Sequence, residues 1–230
     1  MREPVDQAQP GYYLLFSVWK AGLDYAARPK DERAQGAAEF LAAIGEFAGD
    51  VTVRAYSTLG LRHDADFILW LTAGSLDSVQ RLMERLRQSR LGADLENTHA
   101  YLAVSRESVR GKGHPETEAQ APVEPGTTDY LFLHPLVRSA EWYLLPIEER
   151  RRLMLEHSRA GHRFRSIATT TAYSLGDQDF VMAYEGDDPR QLVALHMAFR
   201  ETEMSRYTVR DTPRFTGRRR PLEQILESLG

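Results

Sequence analysis

Apolar residues return along this chain at two alternating rhythms, one of period two and one of three to four. Residues 11–19 (GYYLLFSVW) are dense in aromatic and branched side chains and read as a strand. Over 36–48 the residues Ala37, Phe40, Leu41, Ile44 and Phe47 fall on one helical face. Strands are expected at 51–57 and 66–72, a helix at 75–90 with Leu76, Val79, Leu82, Met83 and Leu86 inward, and a strand at 99–105. The order β-α-β-β-α-β is the ferredoxin-like motif.

The second half says the same thing again. Strands are expected at 129–134, 165–174, 179–184 and 206–212, with helices at 146–160 and 189–203. The halves also agree in letters. Leu59-Gly60 followed by Asp66-Phe67-Ile68 is echoed by Leu175-Gly176 followed by Asp179-Phe180-Val181. A repeat this long is a domain duplication, not a solenoid. Residues 106–127 are rich in Pro, Gly and charge and read as a linker. The expected organisation is an N-terminal ferredoxin-like half over 1–105, that linker, a C-terminal half over 128–217 and a basic tail over 218–230. Each sheet would keep one face under its own helices and leave one apolar face bare, so the α+β solution is to pack the bare faces or close them into a barrel.

The chain has 230 residues, 42% of them hydrophobic, enough for a full core. A net charge of −4 points away from nucleic acid and anionic membranes as partners. There are no cysteines, which excludes disulfides, thiolate metal sites and a Cys nucleophile. The polar start does not resemble a signal peptide, and no apolar run is long enough to span a membrane, so a soluble cytoplasmic protein is expected. Phosphate-loop, dinucleotide, zinc-protease and nucleophile-elbow motifs are absent.

Three segments carry a more specific message: HPLVRSAEWYLLPIEERRRLMLEHSRAG (134–161), TTTAYSLGDQDFVMAYEGDDP (169–189) and FRETEMSRYTVRDTPRFTG (199–217). They resemble the chlorite dismutase / coproheme decarboxylase family. The resemblance implies two fused ferredoxin-like units forming a dimeric-type α+β barrel, a homo-oligomeric ring, typically a pentamer, and an iron porphyrin cofactor, heme b or coproheme. It implies an oxidoreductase, either splitting chlorite or using hydrogen peroxide to decarboxylate coproheme in heme biosynthesis.

The family's iron ligand is the His of its E-H-x-x-x-G motif, here His157. Helical spacing independently puts Leu153, Met154, His157 and Gly161 on one face, where an imidazole must be ligated or hydrogen-bonded. The family supplies a carboxylate behind that ligand from a Thr-Glu pair, here Thr202-Glu203. Glu203 also follows Phe199 by four residues, at the end of the inward face that Leu192 and Leu195 begin. The other reading of Glu203 is a surface carboxylate at a fraying helix end. Arg138 matches the family's nearby basic residue and could meet a propionate. Trp142 and Tyr143 belong to the motif before the ligand helix and read as packing against it, with Tyr143 an alternative oxidisable phenol.

Two departures matter. Decarboxylases usually carry a catalytic Tyr-Pro where this chain has His134-Pro135, and an imidazole can act as a base but cannot replace a phenol. The distal strand offers Ala168 or Thr170 where relatives place Arg or Gln. Losing the cation argues against chlorite dismutation. The readings carried forward are a coproheme decarboxylase-like or peroxidase-like variant, a non-catalytic porphyrin carrier or sensor, and a relative that has lost heme.

Overall fold

The computed structural model describes residues 11–105, 128–164 and 166–230. The expected linker, the polar start and Arg165 lie outside the described residues. The first half runs β1 (Tyr13–Ala21), α1 (Lys30–Glu46), β2 (Val51–Ser57), β3 (Phe67–Ala73), α2 (Leu76–Gln88), a short α3 (Arg90–Asp94) and β4 (Leu95–Val104). The second runs β5 (Tyr130–Arg138), a short α4 (Ala140–Leu144), α5 (Ile147–Gly161), β6 (Ala168–Ser174), β7 (Phe180–Gly186), α6 (Pro189–Arg200), β8 (Thr208–Arg210), β9 (Phe215–Arg219) and α7 (Leu222–Glu227).

The strands of the first half lie in the order β4-β1-β3-β2, those of the second in the order β9-β5-β7-β6, all antiparallel. Counted within each unit the two orders are identical, so the repeat in letters is a repeat in topology. Two short seams join the units. Tyr56 and Ser57 of β2 pair with Arg219 and Arg218 of β9, and Ala103 and Val104 of β4 pair with Ser174 and Tyr173 of β6. The result is a closed eight-stranded barrel with no free edge in the ring. β8 lies outside the ring and extends the edge of β5 beyond β9. This is the duplicated ferredoxin-like barrel expected, with one correction. The strand closing the second unit is Phe215–Arg219, and most of 206–212 is a 3-10 turn (Glu203–Tyr207) followed by the three residues of β8.

Period-two alternation divides the strand residues between two compartments. Leu14, Phe16 and Val18 of β1 join Ile68 and Trp70, Leu131 and Leu133, and Val181 and Ala183 inside the barrel. Leu15, Trp19, Phe67 and Leu69 face outward under α1 and α2. The interior also holds an ion pair bridging the two units. Arg54 Nη1 lies 3.0 Å from Glu185 Oε2, and the Tyr56 hydroxyl donates to Glu185 Oε1 at 2.5 Å. The Arg54 guanidinium sits 4.1 Å over the Trp70 ring.

Helix ends follow local chemistry. Asp188 accepts from the Arg190 N–H with Pro189 at the first helical position, so α6 starts there. Glu148 and Glu149 stand in the first turn of α5 and Arg159 in its last, both favourable to the helix dipole. The tail is part of the fold. Arg218 and Arg219 belong to β9, and Ile225, Leu226 and Leu229 are buried in the first unit's core with Phe40 and Leu82. Among the described residues no helix is long and apolar enough to cross a membrane.

Candidate functional site

The two helix-covered faces of the barrel are filled very differently. Nineteen buried apolar residues fill the layer beneath α1, α2 and α7. Beneath α5 and α6 the buried cluster is Ile167, Tyr184, Leu192 and Leu195, fringed by half-buried Tyr130, Phe132, Phe164, Met182 and Phe199. α5 rests mainly on α6 and the flanking 3-10 turns, not on the sheet. Of its fifteen residues only Leu153 is buried. α5 therefore covers its sheet far more thinly than α1 and α2 cover theirs.

His157 projects from α5, half-buried, onto Phe199 of α6. The rings are nearly parallel, 17° apart, with centroids at 4.0 Å. Gly161, one turn on, makes room for that contact, since a Cβ there would lie 3.1 Å from the Phe199 ring. His157 Nδ1 lies 3.2 Å from Thr202 Oγ1. Glu203, the expected partner, instead turns its carboxylate to Arg152 at 2.7 Å, and its backbone N–H donates to Glu156 Oε1. The physical reason is that α6 ends at Arg200, so helical extrapolation from Phe199 to Glu203 breaks down.

Arg138 stands at the end of β5. Its Nη1 donates to the Met204 carbonyl at 3.2 Å and to Thr208 Oγ1 at 2.7 Å, and its guanidinium lies 5.3 Å from the centre of the Trp142 ring. Among the described residues no carboxylate lies within ion-pair distance of it, and its Nε is buried without a hydrogen-bond partner. Burial lowers its pKa from the ordinary arginine value. A half-buried guanidinium whose own hydrogen bonds go to neutral groups, with Asp179 taking only the backbone N–H, can accept an incoming carboxylate. Trp142 is buried between Arg138 and Tyr207, whose ring centroid is 5.8 Å away. Tyr143 is exposed beside it, and partial burial with the neighbouring Asp179 carboxylate pushes its phenol up to about 12.

His134 lies on the same helix-facing side of the barrel but is 2% exposed. It stacks on Tyr184 at 5.9 Å and meets His196 edge-on at 5.8 Å. Tyr184 lies 6.2 Å from Phe199, so a row of rings connects His134 to His157. His134 Nδ1 reaches the Pro135 carbonyl, while Nε2 is buried without a hydrogen-bond partner. His196 sits 3.7 Å from Asp211, which Arg214 and Arg200 also engage. Desolvation holds His134 down to about 4. Its folded pKa is thus below the unfolded value, and the native state keeps the ring neutral. Stability should therefore be constant above about pH 6.5 and fall by on the order of 3 kcal/mol as the pH drops towards 4. Denaturant unfolding across that range checks this, and His134→Gln should flatten the profile.

The distal positions are corrected by register. Thr170 pairs with Ala183 and Ala172 with Val181, and these partners face the barrel interior. Ala168, opposite Glu185, and Thr170 therefore point to the interior side. Thr169, Thr171 and Tyr173 share the helix-facing side with Tyr184, Met182 and Phe180. Sequence reasoning also passed over Tyr184 and His196. Each had a signal: Tyr184 alternates with Met182 on β7, and His196 follows Leu192 by one helical turn.

Comparison with known proteins agrees with this fold. A family model for chlorite dismutase matches residues 33–220. The chain is 34% identical over 220 residues to the coproheme decarboxylase of Mycolicibacterium smegmatis, covering 94% of each. It is 24% identical to the chlorite dismutase of Ideonella dechloratans, over 100% of this chain and 85% of that one. A solved structure of a variant chlorite dismutase from Candidatus Nitrospira defluvii superposes with a TM-score of 0.88 at 26% identity, covering 96% of both chains. With the barrel, the repeated units and the matches in agreement over nearly its whole length, the chain belongs to the chlorite dismutase family.

Proposed function

We propose that the thinly filled layer between α5 and the helix-facing side of β5, β6 and β7 takes an iron porphyrin, coproheme or heme b, with His157 as the axial ligand. The observation that carries this is the contrast between the two helix layers, one built on nineteen buried apolar residues and the other presenting an imidazole on a helix with a single buried residue. The donor set fits the group. Imidazole is a common axial ligand of heme iron. Arg138, with its buried Nε lacking a partner, supplies a cation for a propionate, and Trp142 keeps that guanidinium in place. Phe199 fixes the plane of the His157 ring by stacking on it.

The relative from M. smegmatis is named a coproheme decarboxylase, and we read this chain as a heme-dependent oxidoreductase of that kind. When bound, the porphyrin iron would supply one-electron chemistry with hydrogen peroxide. The chain's own residues then divide the remaining work. His134, neutral and buried, presents Nε2 as a hydrogen-bond acceptor, and the desolvation that keeps it neutral makes it a weak base. Tyr143, protonated and half-exposed at the rim beside Arg138, is the candidate oxidisable phenol. A second reading, a non-catalytic porphyrin carrier, is favoured by the helix-facing side of β6, where Thr169, Thr171 and Tyr173 bring no cation.

The test is a titration of the full-length chain with coproheme and with heme b, followed by absorbance and then by peroxide. One porphyrin per chain with an imidazole-ligated spectrum is expected, and mass loss from the propionates of coproheme after peroxide. Saturable binding without propionate loss selects the carrier, and the absence of saturable binding by either porphyrin removes both readings.

A further inference from the structure

We propose that Thr202, not Glu203, is the residue that fixes which nitrogen of His157 carries the proton. The idea takes its purpose from the porphyrin reading above, but its geometry stands without it. Thr202 is 6% exposed, just past the end of α6. Its hydroxyl lies 2.7 Å from the Phe199 carbonyl and 3.2 Å from His157 Nδ1. A threonine hydroxyl has one proton to give. The shorter contact is to a carbonyl of the last helical turn, where the helix dipole is negative, so the proton goes there. Towards the imidazole the oxygen is then left as an acceptor. Only a protonated nitrogen can donate to it, which places the hydrogen on Nδ1 and the lone pair on Nε2.

Phe199 thus acts on His157 twice. Its ring sets the tilt of the imidazole, and its carbonyl, through Thr202, sets the tautomer. Glu203 pairs with Arg152, which also pairs with Glu149, and Glu156 receives the Glu203 N–H. A carboxylate at Nδ1 would draw the hydrogen away and make the ring strongly basic, whereas a hydroxyl already donating elsewhere does so far less. His157 is accordingly a positioned imidazole and a modest electron donor, and Thr202 is a positioning residue.

The experiment is long-range nitrogen–proton NMR of 15N-histidine-labelled full-length chain without porphyrin, at a pH where imidazoles are neutral. The wild type should show His157 as the Nδ1–H tautomer. Thr202→Val should lower the ratio of Nδ1–H to Nε2–H about fivefold, the worth of one ordinary net hydrogen bond. Thr202→Ser should restore it, and Glu203→Gln should leave it unmoved. The Ser variant separates loss of the hydroxyl from damage to folding. An Nε2–H tautomer in the wild type, or a ratio that follows Glu203→Gln and ignores Thr202→Val, overturns the proposal. The spectra are taken without porphyrin, so failure of porphyrin to bind counts against the proposed function and leaves the tautomer assignment to its own signal. In the loaded protein, Glu203→Gln should not change the iron–imidazole stretching frequency. A change as large as that from Thr202→Val would also count against the proposal.

Discussion

His157→Ala is expected to weaken iron porphyrin binding at least about a hundredfold, because loss of the ligand should exceed the 10–100-fold that loss of an outer partner costs. The rest of the fold should hardly notice. His157 is half-buried on a helix that buries only Leu153, and its ring contact with Phe199 is worth about 0.5–1.5 kcal/mol. Unfolding midpoints of the two apo proteins should therefore lie close together while their porphyrin titrations differ greatly. Added imidazole should restore part of the absorbance, since Phe199 and Thr202 still shape the space that the ring vacates. Unchanged affinity and spectrum in the variant would move the ligand elsewhere.

Arg54→Met should destabilise the chain by about 3–5 kcal/mol, because it leaves the Glu185 carboxylate in the barrel interior without its cation. Both side chains are only 5–6% exposed, and the Tyr56 hydroxyl alone cannot compensate a full charge. The double variant Arg54→Met, Glu185→Leu should recover most of the loss, since an apolar pair of similar volume fits among Trp70, Ile68 and Val181. Denaturant unfolding of the three proteins gives the coupling directly. If the single and double variants are equally unstable, the pair is not the electrostatic bridge between units described above.

The sequence showed the duplicated order of elements because each half buries one helix face and alternates along its strands. It put His157 on a helix face with Leu153, Met154 and Gly161, and α5 carries all four. Other features depend on contacts that no local pattern records. β9 carries one large apolar residue, Phe215, among Thr, Gly and Arg, and is a strand only because β2 and β5 flank it. α1 begins at Lys30, six residues before the expected start, through a polar first turn and a half that faces solvent. The side chains of β6 read Ala-Thr-Thr-Thr-Ala-Tyr-Ser, with no apolar alternation to fix which face is which, and a shift of one residue exchanges the two faces. Glu203 was misplaced by extending a helix three residues too far. Thr202 could not be preferred over it without seeing where the last carbonyls of α6 point.

The seam between β2 and β9 and the cover over the first unit's core both come from residues 215–229. During synthesis the first unit emerges with a complete set of strands, but Ile225, Leu226 and Leu229 have yet to arrive over Phe40 and Leu82. The ring itself cannot close on β2 until β9 appears. Growing at roughly 5–20 residues per second, the nascent chain spends several seconds as an open sheet with an unpaired β2 edge. That interval is when the edge of β2 is open to pairing with another chain.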